Sequence, residues 1–277
     1  MIINIWKKLP ILIRSIIVGV FILFVGQFPQ SIIVYLNLYI APSLPLFLPI
    51  TLAWLFIFLK YLNGSWKPIS TSQQRKRNLR AKKLPFKIWL WSLLAGSIGM
   101  IGVLGLVFII SKHTVLPPEA LEAPFDLTPF PWWTQASVFL TIASTAGVVE
   151  EAAFRGYMLS QIQKKHGWVV GILVTGIIFY IVHLSHSYAT IAFALFFLIY
   201  SIFHGVLVYL TRSIWPSIVL HTIGDFTILP MQYGLIKDIG QYEFVHNGWL
   251  SLSAMVIAVP LLFYLYSLNK FELTRHS

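Results

Sequence analysis

Residues 88–110 read IWLWSLLAGSIGMIGVLGLVFII, 23 residues without a charged side chain. At 1.5 Å of rise per residue, a helix of that length reaches about 35 Å, enough to cross the roughly 30 Å hydrocarbon layer of a bilayer. On its N-terminal side stand Lys67, Arg75, Lys76, Arg77, Arg80, Lys82, Lys83 and Lys87; on its C-terminal side the next cation is Lys112. Cations dense on one flank and sparse on the other place the basic link on the cytoplasmic side.

Working outward from this run, seven further apolar stretches appear, and the eight spans are expected near 10–28, 44–62, 88–110, 134–159, 168–187, 190–210, 214–230 and 249–268. The proline-rich stretch from Gln27 to Pro45 is expected to be broken or interfacial. Alternation from the basic link puts Lys7, Lys8, Lys164, Lys165, Arg212, Lys270 and Arg275 inside as well. Lys112 and Lys237 fall outside, with Glu119, Glu122, Asp126, Asp238 and Glu243. Both termini are therefore expected in the cytoplasm and the protein in the cell membrane. Trp132, Trp133 and Trp249, at span ends, are expected at the membrane interface. The first run lacks a small-residue cleavage site and is read as a retained anchor.

Composition agrees with an all-α, polytopic membrane helix bundle. Hydrophobic residues are 57% and charged residues 10%, with a mean hydropathy of +0.79; soluble domains carry about 25% charged residues. The net charge of +11 sits between apolar runs, so it is read as a topology signal beside lipid head groups and not as a nucleic-acid surface. With no cysteine, disulfides, iron–sulfur clusters and thiolate nucleophiles are excluded, and a zinc site has only His and carboxylate ligands to draw on. One integral membrane domain is expected in three parts: 1–133, N-terminal helices and basic link; 134–230, a candidate catalytic core; 231–277, the last helix and tail.

Of nine acidic residues, Glu150, Glu151 and Asp225 lie within spans. A carboxylate in hydrocarbon costs at least about 2.5 kcal/mol, so such residues are kept for function or for tight pairing. Glu151 and Arg155 are four apart and can pair on one helix face, leaving Glu150 about 100° round the helix and free to face a cavity. His221 and Asp225 share that spacing, and His183 closes the run FYIVH at 179–183. A free carboxylate, a paired carboxylate and two imidazoles suffice for hydrolysis by activated water: Glu150 takes the proton, and a His donates to the oxyanion or leaving amine. Asp225 is expected to accept a hydrogen bond from His221 and fix its tautomer. Each motif alone also suits structural glue. His186, at a span end, and His204, without an acidic neighbour in sequence, are read as structural, and His113, His166 and His246 as loop or interface residues. The expected spans place Glu150 and His221 about 15 and 10 Å from the inner end but His183 about 22 Å from it; convergence requires the fifth span to begin later or to tilt.

The order EExxxR, FxxxH and HxxxD, here Glu150–Arg155, Phe179–His183 and His221–Asp225, resembles the CAAX-protease and bacteriocin-processing family, which includes the CAAX prenyl endopeptidase. The flanks Gly156, Gly205 and the run YLTRSIWP at 209–216 are similar too, and the likeness covers about 130–230. It implies an intramembrane endopeptidase acting on a membrane-associated protein or peptide. Glu150 would activate water, Glu151 and Arg155 hold the site, His183 and His221 assist proton transfer and oxyanion binding, and Asp225 support them. Asn is commoner than Asp at the last position, which favours a zinc-bound alternative somewhat, with Glu150, His183 and His221 as ligands; the expectation is a site without a cofactor. A transporter and a non-catalytic immunity or regulatory protein are the rival classes. The repeated halves of a transporter are not evident.

Overall fold

The computed structural model describes residues 6, 8–114, 125–186, 189–233 and 248–275. Lys7, Glu119, Glu122, Lys237, Asp238, Glu243 and His246 lie outside the described residues, as do the side chains of Glu272 and Arg275. Among the described residues the chain is helical, with no strand. The helices are α1 (Ile11–Ile40), α2 (Phe47–Leu62), α3 (Ser72–Leu79), α4 (Phe86–His113), α5 (Trp132–Glu150), α6 (Leu159–His183), α7 (Ala194–Thr211), α8 (Trp215–Gln232) and α9 (Trp249–Arg275). A wider π-helical stretch, Glu151–Met158, joins α5 to α6 without a break.

Five helical stretches are long and apolar enough to cross a membrane, and one of them, Trp132–His183, runs for 52 residues. Gly167, at φ +82° and ψ 165°, divides that stretch; only glycine enters this left-handed backbone region at little cost. The chain reverses there. Gly171 packs on Leu159 and Gln163, and the Phe154 and Phe179 rings lie 5.2 Å apart; the Gly171–Gln163 and Phe154–Phe179 contacts each pair positions about equally far from Gly167. With this hairpin counted as two segments, and with the shorter apolar α2 and the more polar α8 included, eight helical segments correspond to the eight expected spans.

The hairpin also removes the depth conflict. Helix continues past 159 to His166, and the tip from Lys164 to Val170 is exposed. Glu150 stands 17 residues before Gly167 and His183 stands 16 after it, so the two come level. The expected fifth span begins at Trp168, within this exposed tip, and counting depth from there sets His183 too far from Glu150.

A second correction concerns 27–45. Instead of breaking, α1 continues to Ile40 with Pro29 inside it. The turn that follows is organised by Asn37, whose side chain donates to the Ala41 and Leu44 carbonyls and accepts from the Phe47 amide.

The basic segments gather at one end of the bundle. Arg75 donates to the Tyr61, Trp66 and Pro68 carbonyls. The Arg80 carbonyl accepts from Ile214 N, and Ser213 Oγ donates to the Lys82 carbonyl. Tyr157 reaches the Leu62 carbonyl, and Asn269 reaches that of Leu210. Opposite this end, Trp133 and Thr134 bond the 42–43 turn. Trp132, Trp133 and Trp249 begin helices and are exposed, as suits interfacial residues. Asp126, on the same side, accepts from the Thr128 amide and hydroxyl, which holds its carboxyl below the usual carboxylate range.

Candidate active site

The π-helical stretch is buried at every residue. Widened turns of this kind recur at functional sites, and here the stretch carries a buried polar network centred on Glu151. Glu151 Oε1 is 3.0 Å from Arg155 Nη1, and both side chains are fully buried. The same oxygen is 2.9 Å from His221 Nδ1, while Oε2 accepts from Ser217 Oγ at 2.6 Å. Arg155 also donates to the Ser201 hydroxyl at 3.1 Å and lies 4.8 Å from the Phe179 ring centroid. Ser217 spends its single hydroxyl proton on Glu151, so His204 Nδ1, 2.7 Å away, must be the donor to Ser217 Oγ. His204 is therefore no isolated core histidine: its Nδ1 is 3.9 Å from Glu151 Oε1. Its acidic neighbour is absent along the chain but present in space.

Glu150, 6% exposed, is held differently. Its Oε1 accepts from Gln27 Nε2 at 2.9 Å. Its Oε2 is buried without a hydrogen-bond partner. His221 Nε2 lies 3.7 Å from Oε2 and His183 Nε2 lies 3.9 Å from it. His183 Nδ1 lies 2.7 Å from the Phe179 carbonyl; a carbonyl only accepts, so Nδ1 carries the proton and Nε2 is turned toward the site. His221 is oriented alike, with Nδ1 on Glu151. Asp225, expected to hold His221, shares that contact with Glu151. Its Oδ2 is 3.5 Å from His221 Nε2, a looser approach than that of Glu151, and its Oδ1 accepts from Tyr200 at 3.3 Å. Glu151 makes the closer contact with His221, at Nδ1, and Asp225 the looser one, at Nε2. Asp225 at 24% and His183 at 14% side-chain exposure form the outer rim of the cluster.

The six residues singled out in sequence thus meet in one place, on α5, the π-helical stretch, α6 and α8. Residues 131–227 match the family model for type II CAAX prenyl endopeptidase, Rce1-like. The match covers about a third of the 277-residue chain and contains all six. Neither a curated protein nor a solved structure matches the chain.

Within the Rce1-like segment, the motif spacing did not single out Ser217, Ser201, Tyr200 or His204. Gln27 lies outside the segment altogether. Ser217 and His221 are four apart, a spacing that could have flagged the serine. Nothing local pointed to Gln27, 123 residues from Glu150. His186 sits beside His183, with ring centroids 5.8 Å apart, and is exposed; His113 ends α4, and His166 is on the hairpin tip.

Two donor sets bear on metal binding. Glu151, His204 and His221 offer ligand atoms within 4.8 Å of one another, but the Arg155 guanidinium lies 3.0 Å from that carboxylate and opposes a cation there. Glu150, His183 and His221 bring one unpartnered oxygen and two Nε2 atoms 3.7 and 3.9 Å from it, but among the described residues only the first set has its three ligand atoms within 4.8 Å of one another.

Proposed function

We propose that this protein is an intramembrane endopeptidase that cleaves a membrane-associated protein or peptide with water activated by Glu150. The observation that carries this reading is Glu150 Oε2, a buried carboxylate oxygen without a partner beside two imidazole Nε2 atoms. A water there donates one hydrogen to Oε2 and the other to His183 Nε2. Its oxygen adds to the scissile carbonyl carbon as Glu150 takes the first proton. His221, in its imidazolium form, donates from Nε2 to the developing oxyanion while Glu151 holds Nδ1. Collapse breaks the carbon–nitrogen bond, and the proton on Glu150 leaves with the amine. Asp225 supports His221 from the rim. The positive-inside rule assigns the basic end of the bundle to the cytoplasm of a cell-membrane protein, together with both termini.

The same unpartnered oxygen suits a zinc-dependent variant of this reading. Held by Glu150, His183 and His221, the ion would supply a Lewis acid for water activation. Purified protein, assayed on membrane peptides with and without chelator, tests both. Cleavage that resists chelation and disappears in Glu150→Gln supports the metal-free reading. Stoichiometric zinc whose removal abolishes cleavage and whose return restores it overturns that reading in favour of the metal. Wild-type turnover by Glu150→Gln excludes Glu150 as the base.

A further inference from the structure

We propose that Gln27, supplied by α1 from outside the Rce1-like segment, is a positioning residue that sets the rotation of the Glu150 carboxylate. The proposal rests on Glu150 being the base. The packing of α1 brings Gln27 to this place. Ser15, Gly19, Ile22 and Gly26 are buried along one face of α1, at steps of four, three and four residues, and so lie on one stripe. A Cβ at Gly26 would come within 2.4 Å of Val149 Cγ1, and one at Gly19 within 2.5 Å of Met158 Cε. Small residues let helices in a membrane approach this closely. The contact of Gly26 with Val149 sets the next residue on each chain side by side, and these are Gln27 and Glu150. From the other flank, Trp54 Nε1 donates to the Gly26 carbonyl at 3.0 Å.

A carboxylate has two equivalent oxygens and a soft terminal torsion. With nothing on Oε1, rotation would carry Oε2 away from His183 and His221. The amide of Gln27 ties down Oε1 at 2.9 Å and leaves Oε2 as the oxygen that faces the two imidazoles. An amide does this without bringing another charge into the cluster. On this account the first helix belongs to the active site as well as to the scaffold.

The test compares Gln27→Leu, Gln27→Asn and Trp54→Phe in the full chain in detergent. Gln27→Leu should lower kcat by about 10–100-fold, the worth of one hydrogen bond to a charged group, with KM little changed. Gln27→Asn, whose amide falls about 1.5 Å short, should not rescue it. Trp54→Phe loses the neighbouring α1–α2 bond and should lower the melting temperature while keeping kcat, as a purely structural strap does. An undiminished kcat in Gln27→Leu, or losses of melting and kcat in step for Gln27→Leu and Trp54→Phe alike, would overturn the proposal. A fully active Glu150→Gln would instead overturn the reading beneath it. Labelling of Glu150 by dicyclohexylcarbodiimide, followed by mass spectrometry, needs no turnover. Its rate should change about tenfold in Gln27→Leu and stay at the wild-type value in Trp54→Phe; an unchanged rate in Gln27→Leu counts against the proposal even if no peptide is cleaved.

Discussion

Glu150 and Glu151 are adjacent, of one residue type and both buried, yet their surroundings differ in kind. Around Glu151 each carboxylate oxygen has a partner: Arg155 and His221 at Oε1, Ser217 at Oε2. Around Glu150 one oxygen is tied by Gln27 and the other is left without a hydrogen bond. A carboxylate with partners on both oxygens is held in place and has little left to offer a substrate. One with a buried, unpartnered oxygen pays for its desolvation without return unless water, metal or substrate completes it. On the proposed reading, the contrast gives scaffolding to Glu151 and chemistry to Glu150.

The largest test of that contrast is Glu150→Gln. The amide keeps the shape and loses the base, so turnover should fall by about 10⁴-fold while thermal melting in detergent stays near wild type. A melting shift comparable to that of an Arg155 variant would erase the distinction between the two glutamates. Arg155→Ala comes next. It strands the Glu151 charge in a fully buried position, and unfolding in detergent should show a loss of about 3–5 kcal/mol. Unchanged melting would mean that the pair is hydrated.

Ser217→Ala sharpens the comparison within the network. It removes the donor to Glu151 Oε2 and the acceptor for His204, and should cost about 1–3 kcal/mol of stability, read by chemical denaturation. The smallest effect is expected at the rim. In Asp225→Asn the side-chain oxygen can still accept from Tyr200, and His221 keeps its bond to Glu151. Peptide cleavage should therefore remain within about tenfold of wild type. A loss as deep as that of Glu150→Gln would move Asp225 from support to direct chemistry.

Much of the architecture was legible because membrane insertion is a local requirement. Each span must satisfy its own backbone and present apolar side chains to lipid, so runs such as 88–110 declare themselves. The cost of charge in hydrocarbon marked Glu150, Glu151, Arg155 and Asp225 for the same reason. Helical spacing then gave the Glu151–Arg155 pair, which forms at 3.0 Å. The continuous α1 through Pro29 was not legible, since proline's local disfavour of helix is outweighed here by the packing of α1 and the Asn37-built turn.

By itself, the sequence determined a polytopic bundle of eight apolar segments, the basic link between the second and third, and the residue types able to activate water. Only the tertiary structure decided which carboxylate has partners on both oxygens and which has one left open. It also decided that Glu151 approaches His221 more closely than Asp225 does, that His204 has an acid beside it, that His183 comes level with Glu150 through the reversal at Gly167, and that Gln27 bonds Glu150. The physical reason is that spacing along one helix fixes only which side chains share a face. Hydrogen bonds between helices depend on how the helices lie against one another, and residues 123 positions apart carry no local record of meeting.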